Sequence, residues 1–178
     1  MKNLLLVIIA LGIFINPDEA FAQEPLKPRP SPLELVTMKY EDTYVKITYC
    51  RPSKKGRDIF GELVPYGEVW RTGANEAMEI TITGDIKIGS HELKAGTYSM
   101  FTIPEEKEWT IIINSDLGQW GAFRYNAEHD VLRFNAKTEK TDEVYEPFTV
   151  EFEQTGTQKT NLLMIWDRTR VIIPIDFL

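Results

Sequence analysis

The chain of 178 residues has one cysteine, Cys50, and only two histidines, His91 and His129. A single thiol cannot form an internal disulfide, so the core has to hold by packing alone. Structural and catalytic zinc sites need three or four ligands at short paired spacings, and these three residues lie far apart in the chain, so no metal site is expected. The sequence also lacks a G-x-S-x-G elbow, a phosphate-cradling P-loop and a dinucleotide fingerprint. Serine hydrolysis and nucleotide-dependent chemistry therefore have no basis in it, and no cofactor is expected. Basic residues are outnumbered, 20 against 27 acidic ones, for a net charge of −7. With no basic cluster to offset that balance, nucleic acid and anionic membrane surfaces are excluded as partners. No long window shows the three-and-four spacing of an amphipathic helix, which points away from a helical fold.

The N-terminus has the layout of a secretory signal. Lys2 supplies one positive charge, twelve residues from Leu4 to Ile15 form an apolar run broken only by Gly12, and Ala20-Phe21-Ala22 gives a small-x-small cleavage pattern. A spanning helix needs about 20 apolar residues, so this run predicts a signal peptide over residues 1–22 and no membrane span. Cysteine does not follow the cleavage point, which excludes a bacterial lipid anchor. The mature protein is expected in the periplasm or outside the cell. Cleavage removes Lys2, Asp18 and Glu19, leaving 19 basic and 25 acidic side chains, a net of −6. A Pro-rich stretch over residues 23–32, QEPLKPRPSP, reads as an extended tether, and residues 33–178 as a single domain. A mature chain of this size buries roughly 70% of its unfolded surface, enough for one core.

From Thr43 onward, apolar and polar residues alternate with period two in run after run, the mark of strands with one buried face. Val45, Ile47 and Tyr49 share a face opposite Lys46 and Thr48; Ile80 and Ile82 alternate with Glu79, Thr81 and Thr83. Further segments lie at Ile86–Ile88, His91–Lys94, Thr97–Ile103, Trp109–Asn114, Val131–Lys137, Phe148–Glu153, Leu162–Trp166 and Val171–Phe177. Turn signals recur about every 8–12 residues, which predicts an all-β antiparallel β-sandwich, with a flattened barrel as the alternative.

One segment breaks the pattern. Residues 51–77, RPSKKGRDIFGELVPYGEVWRTGANEA, join two strands through 27 residues, and loops beyond about 12–15 residues are usually functional or locally packed. Its glycines and prolines mark turns, while Ile59, Phe60, Leu63, Val64, Tyr66, Val69 and Trp70 can dock it on the sheet. Arg51, Arg57 and Arg71 lie among Asp58, Glu62, Asn75 and Glu76. Planar guanidinium forks suit either of two tasks: pinning the loop down as a plug, or lining a cleft that grips a carboxylate, phosphate or sugar hydroxyl. A second loop, Ser115–Tyr125, sets Trp120 among glycines, where its ring can serve as a stacking platform or as core. Cys50 has no neighbouring base and reads as an inert thiol, and its position on the Lys46–Thr48 face predicts less burial than most cysteines have.

Two functions follow as expectations. The first is a non-catalytic binding or envelope-associated module, with Arg51, Arg57, Arg71, Asn75 and Glu76 as polar contacts, flanked by Trp70 or Trp120, and with an unknown small molecule or envelope component as partner. The alternative is a hydrolase acting on envelope glycan or peptide, with Glu76 or Asp58 as general acid or base and Arg71 steadying negative charge.

Residues 51–77, together with KAGTYSMFTIP (94–104), EWTIIIN (108–114) and GQWGAF (118–123), resemble the bacterial exported family catalogued as domain of unknown function 2911. The likeness covers about residues 31–177, with small departures at Met100 and Glu105. It implies an exported all-β domain and transfers no catalytic residue.

Overall fold

The computed structural model describes residues 28–178; the signal segment and residues 23–27 of the tether lie outside the described residues. Nine strands follow one another: β1 (Leu33–Tyr40), β2 (Thr43–Cys50), β3 (Met78–Ile82), β4 (Ile86–Ile88), β5 (His91–Leu93), β6 (Gly96–Ile103), β7 (Glu108–Asn114), β8 (Asp130–Gln154) and β9 (Lys159–Phe177). All pairings are antiparallel, in the spatial order β1-β2-β3-β6-β7-β8-β9-β4-β5. The ladder ends at β1 and β5, which do not pair, so the sheet is not closed into a barrel.

The ladder folds over because β8 belongs to two layers. Its first part, Asp130–Lys137, pairs with β7, and from Thr138 onward it pairs with β9. The inward faces of both layers then share one core. Ile47, Ile80, Met100, Ile111 and Ile113 come from the first layer, and Ile88, Phe148, Val150, Leu162, Met164 and Ile173 from the second. Interleaving two alternating faces is what period-two patterning selects, and the result is the expected sandwich. The chain changes layer between β3 and β4 and returns between β5 and β6. Asp85 ties the two crossings together, accepting from the Ala95 N–H at 2.9 Å and from Lys94 Nζ at 2.8 Å.

The sequence pattern misses one strand and divides two others. β1 is an edge strand whose Leu33 and Leu35 face solvent while Val36, Met38 and Tyr40 pack on the core. With apolar residues on both faces, no alternation marks it. The segments expected at 131–137 and 148–153 form one strand, as do those at 162–166 and 171–177. The polar stretch between the first two stays extended in the hairpin of β8 and β9, where the ladder slips between Lys140 and Thr149. There Arg170 pairs with Glu139, and Arg168 donates to the Asp142 carbonyl. Hydrogen bonds continue where no face is buried, so the hydrophobic signal lapses although the strand does not.

Among the described residues no helix is long and apolar enough to cross a membrane. Phe148 is fully buried, with its ring 5.5 Å from Tyr49, 5.2 Å from Trp70 and 5.8 Å from Trp166. Phe148→Ala is expected to cost about 3–5 kcal/mol in urea unfolding, and a loss under about 1 kcal/mol would contradict this packing.

Candidate functional site

The long loop is held to the sandwich at several points. Lys54 and Lys55 donate backbone N–H groups to the carbonyl and carboxylate of Glu146, and Lys54 Nζ pairs with Asp167 at 2.8 Å. Ile59 and Val64 are buried. Trp70 pairs with Thr102 through two backbone bonds of 2.7 and 3.0 Å, extending the line of β3 beside β6. Its ring stacks on Trp166 at 6.0 Å and meets Trp109 and Phe148 edge-on. Trp70 is thus a core residue whose edge reaches a cavity.

After Arg71 the chain leaves the sheet and returns at Met78, whose N–H bonds the Arg71 carbonyl at 3.0 Å. Three residues of this excursion, Thr72, Gly73 and Asn75, have positive φ of 55°, 147° and 57°. A β-branched residue in the left-handed region is strained. Thr72 is fully buried there, its hydroxyl reaching the Trp70 carbonyl and the Thr102 hydroxyl. Gly73 is required by contact as well as by φ, because a Cβ would lie 2.8 Å from the Cys50 carbonyl oxygen.

That close approach decides the environment of Cys50. Alternation predicts a less buried thiol, but the structure corrects this: the excursion covers the outward face of β2 and buries Cys50. Its Sγ donates to Glu76 Oε2 at 3.3 Å, and Arg29 Nη1 donates to both Glu76 oxygens at 2.8 Å. Burial pushes the Glu76 carboxyl upward, yet hydrogen bonds from its own backbone, Arg29 and Cys50 together hold it below the usual carboxylate range. Arg29, Cys50, Glu76 and Glu79 line a cavity of about 440 Å³.

Arg71 is different. It is partly buried, its Nε is shielded from solvent, and no hydrogen bond or ion pair to it exists among the described residues. Burial lowers its pKa, partly opposed by the nearby Cys50. It lines a cavity of about 220 Å³ with Arg57, Trp70, Trp166, Leu63 and Pro52.

The other expected site residues separate. Arg57 is turned back on its own loop, its fork donating to the carbonyls of Lys54 at 2.9 Å and Ser53 at 2.6 Å. Arg51 reaches Thr149 Oγ1 at 3.1 Å and Glu34 at 3.8 Å and lines none of these cavities. Asn75 secures the excursion: its amide donates to the Ser31 carbonyl, and its own carbonyl accepts from Gly121. Trp120 bridges to Glu76 through the backbone, but its side chain is 60% exposed and lines a third cavity with Phe123. Arg29 and Gln119 were not foreseen: Arg29 lies in the Pro-rich stretch, and Gln119 carries no chemical motif. Among the described residues no three His, Cys, Asp or Glu side chains are grouped to hold a metal ion.

A family model described as "Protein of unknown function (DUF2911)" matches residues 31–175, and the chain belongs to that family. No curated protein and no solved structure matches.

Two variants test the excursion. Gly73→Ala combines a positive φ with a backbone clash and is expected to cost more than about 1 kcal/mol. It should also speed labelling of Cys50 by thiol reagents under native conditions; unchanged stability and labelling would contradict the geometry. For Glu76, a lowered folded-state pKa means stabilisation that is present above the unfolded value, near 4.3, and lost as pH falls through the folded one. Glu76→Gln is therefore expected to flatten the loss of stability below about pH 4.3, measured by thermal melts across that range.

Proposed function

We propose that this DUF2911 chain is an exported, non-catalytic binding module that captures a small molecule or envelope component through an anionic group, a carboxylate or phosphate, seated on Arg71. One observation carries the reading: a partly buried guanidinium faces a cavity with no acidic partner among the described residues. An uncompensated charge in a shielded position is costly, and such groups are retained where a ligand completes them. Trp70, Trp166, Leu63 and Pro52 offer the ligand an apolar wall, and Arg57 adds positive charge beside Arg71. Export is supported by the signal pattern of residues 1–22.

Hydrolysis is the weaker reading. A general acid or base works best with a pKa near the operating pH. Glu76 is displaced the other way and its oxygens are engaged by Arg29 and Cys50. Asp58 lines neither cavity of the long loop.

The test compares the protein with Arg71→Met. Acetate, citrate and phosphate are added at matched ionic strength and thermal unfolding is recorded, since a ligand at a hundred times its Kd adds about 2.7 kcal/mol. At least one anion should raise the Tm of the parent chain and leave the variant unmoved. The variant itself should melt at the same temperature or higher, because an unpaired charge has been removed. Equal responses in both proteins, or none in either, would overturn the assignment.

A further inference from the structure

The cavities next to the long loop differ in charge. The one of about 440 Å³ mixes Arg29 with Glu76 and Glu79, and the one of about 640 Å³ beside Trp120 sets Arg124 against Asp116. The cavity of about 220 Å³ on Arg71 is lined by Arg57 and Arg71 and, among the described residues, by no Asp, Glu or His. Its wall carries two positive charges with nothing to oppose them. No carboxylate acts on Arg71 from behind the wall either: burial lowers its pKa, and only Cys50 works against that shift.

The nitrogens a ligand needs are open. Both amide atoms of Gln119 also lack a partner, but both are closed to solvent and give a ligand no approach. On Arg71 only Nε is closed; the two terminal nitrogens keep open surface and make no hydrogen bond among the described residues. Arg57 commits Nε and Nη2 to the carbonyls of Lys54 and Ser53, which fixes the plane of its fork and leaves Nη1 without a partner among the described residues. A guanidinium held in this way is a preorganised donor. Ser31 adds a hydroxyl to the lining.

Size and charge then select the ligand group. Small-molecule sites usually enclose about 300–1,000 Å³, so this smaller one takes a compact group rather than a large ligand whole. A single carboxylate balances one guanidinium and leaves the other facing its like charge. A group with two charges balances both. Arg71 is the more buried of the two arginines, so its attraction is screened less than that of Arg57.

We propose that the Arg71 cavity selects a compact dianion, a terminal phosphate or a short dicarboxylate, over singly charged carboxylates, with Arg71 as the anchor and Arg57 as the contact for the second charge. This rests on the anion reading and narrows it.

The probes are methyl phosphate and malonate, with acetate as the singly charged comparison, and dissociation constants are measured by calorimetry at matched ionic strength. Near neutral pH, methyl phosphate or malonate should bind about tenfold tighter than acetate, and whichever is tighter identifies the source of the dianion. Both probes take their second charge near about pH 6, so the tighter one should gain about fivefold in affinity from about pH 5 to about pH 7. Arg57→Met should remove both the preference and this gain. Arg57→Lys, which keeps the charge and loses the fork that pins the loop, should retain them. The inference is overturned, with the anion reading intact, if acetate binds as tightly as the dianions in an Arg71-dependent manner. Arg57→Met keeping the preference, or Arg57→Lys losing it together with Arg57→Met, also overturns it. If no probe binds, or if Arg71→Met binds as the parent does, both readings fall.

Discussion

Trp70 carries the long loop into the core, and much of the surrounding architecture follows from that insertion. Its indole lies parallel to Trp166 and among Trp109, Phe148 and Phe60, so one side chain joins an irregular segment to both layers of the sandwich. Two backbone bonds to Thr102 fix its direction. Arg71 is drawn into a shielded position because the residue before it is anchored. The chain then has only six residues, Thr72–Ala77, in which to leave the sheet and rejoin it at Met78. Positive φ at Thr72 and Asn75, each worth about 1–3 kcal/mol of strain, is the local consequence of so short a detour.

The detour converts an ordinary strand end into a chemical environment. Cys50 would face outward on a bare β2; beneath Gly73 and Glu76 it is sealed. Arg29 closes the cluster from the Pro-rich stretch, so that stretch ends as a strap over the site rather than as a free tether: Ser31 and Pro32 also accept hydrogen bonds from Asn75 and Arg51. Glu76 is neutralised by this arrangement while Arg71 is left over. Arg57 pins its own loop through the carbonyls of Ser53 and Lys54, and Arg71 takes no part in that pinning.

Local preference and global fold agree over most of the molecule and part company at a few positions: Thr72, Asn75, Arg71, Gln119 and the exposed rings of Trp120 and Phe123. Such conflicts are expected where function has a claim on the structure. They also lie close together, because Glu76 and Trp120 bridge the two loops and Gly118 borders both the Cys50 cavity and the one beside Trp120.

The alternation in Val45–Tyr49, Glu79–Thr83 and Trp109–Asn114 was enough to determine an antiparallel all-β fold, because each such strand buries one face and the period is a property of the chain alone; that the sheet does not close into a barrel was decided by the strand order, which ends at β1 and β5. The sequence also marked residues 51–77 as the structured exception, by its length and its mixture of turn and apolar residues. What the three arginines do was decided only by the tertiary structure. Arg57 meets carbonyls three and four residues away, Arg51 meets Thr149 from the other layer, and Arg71 meets nothing among the described residues. A partner's identity depends on distances across the fold, which period and spacing along the chain do not encode. The burial of Cys50, the recruitment of Arg29 and the isolation of Gln119 have the same cause: each depends on how segments far apart in sequence close over one another.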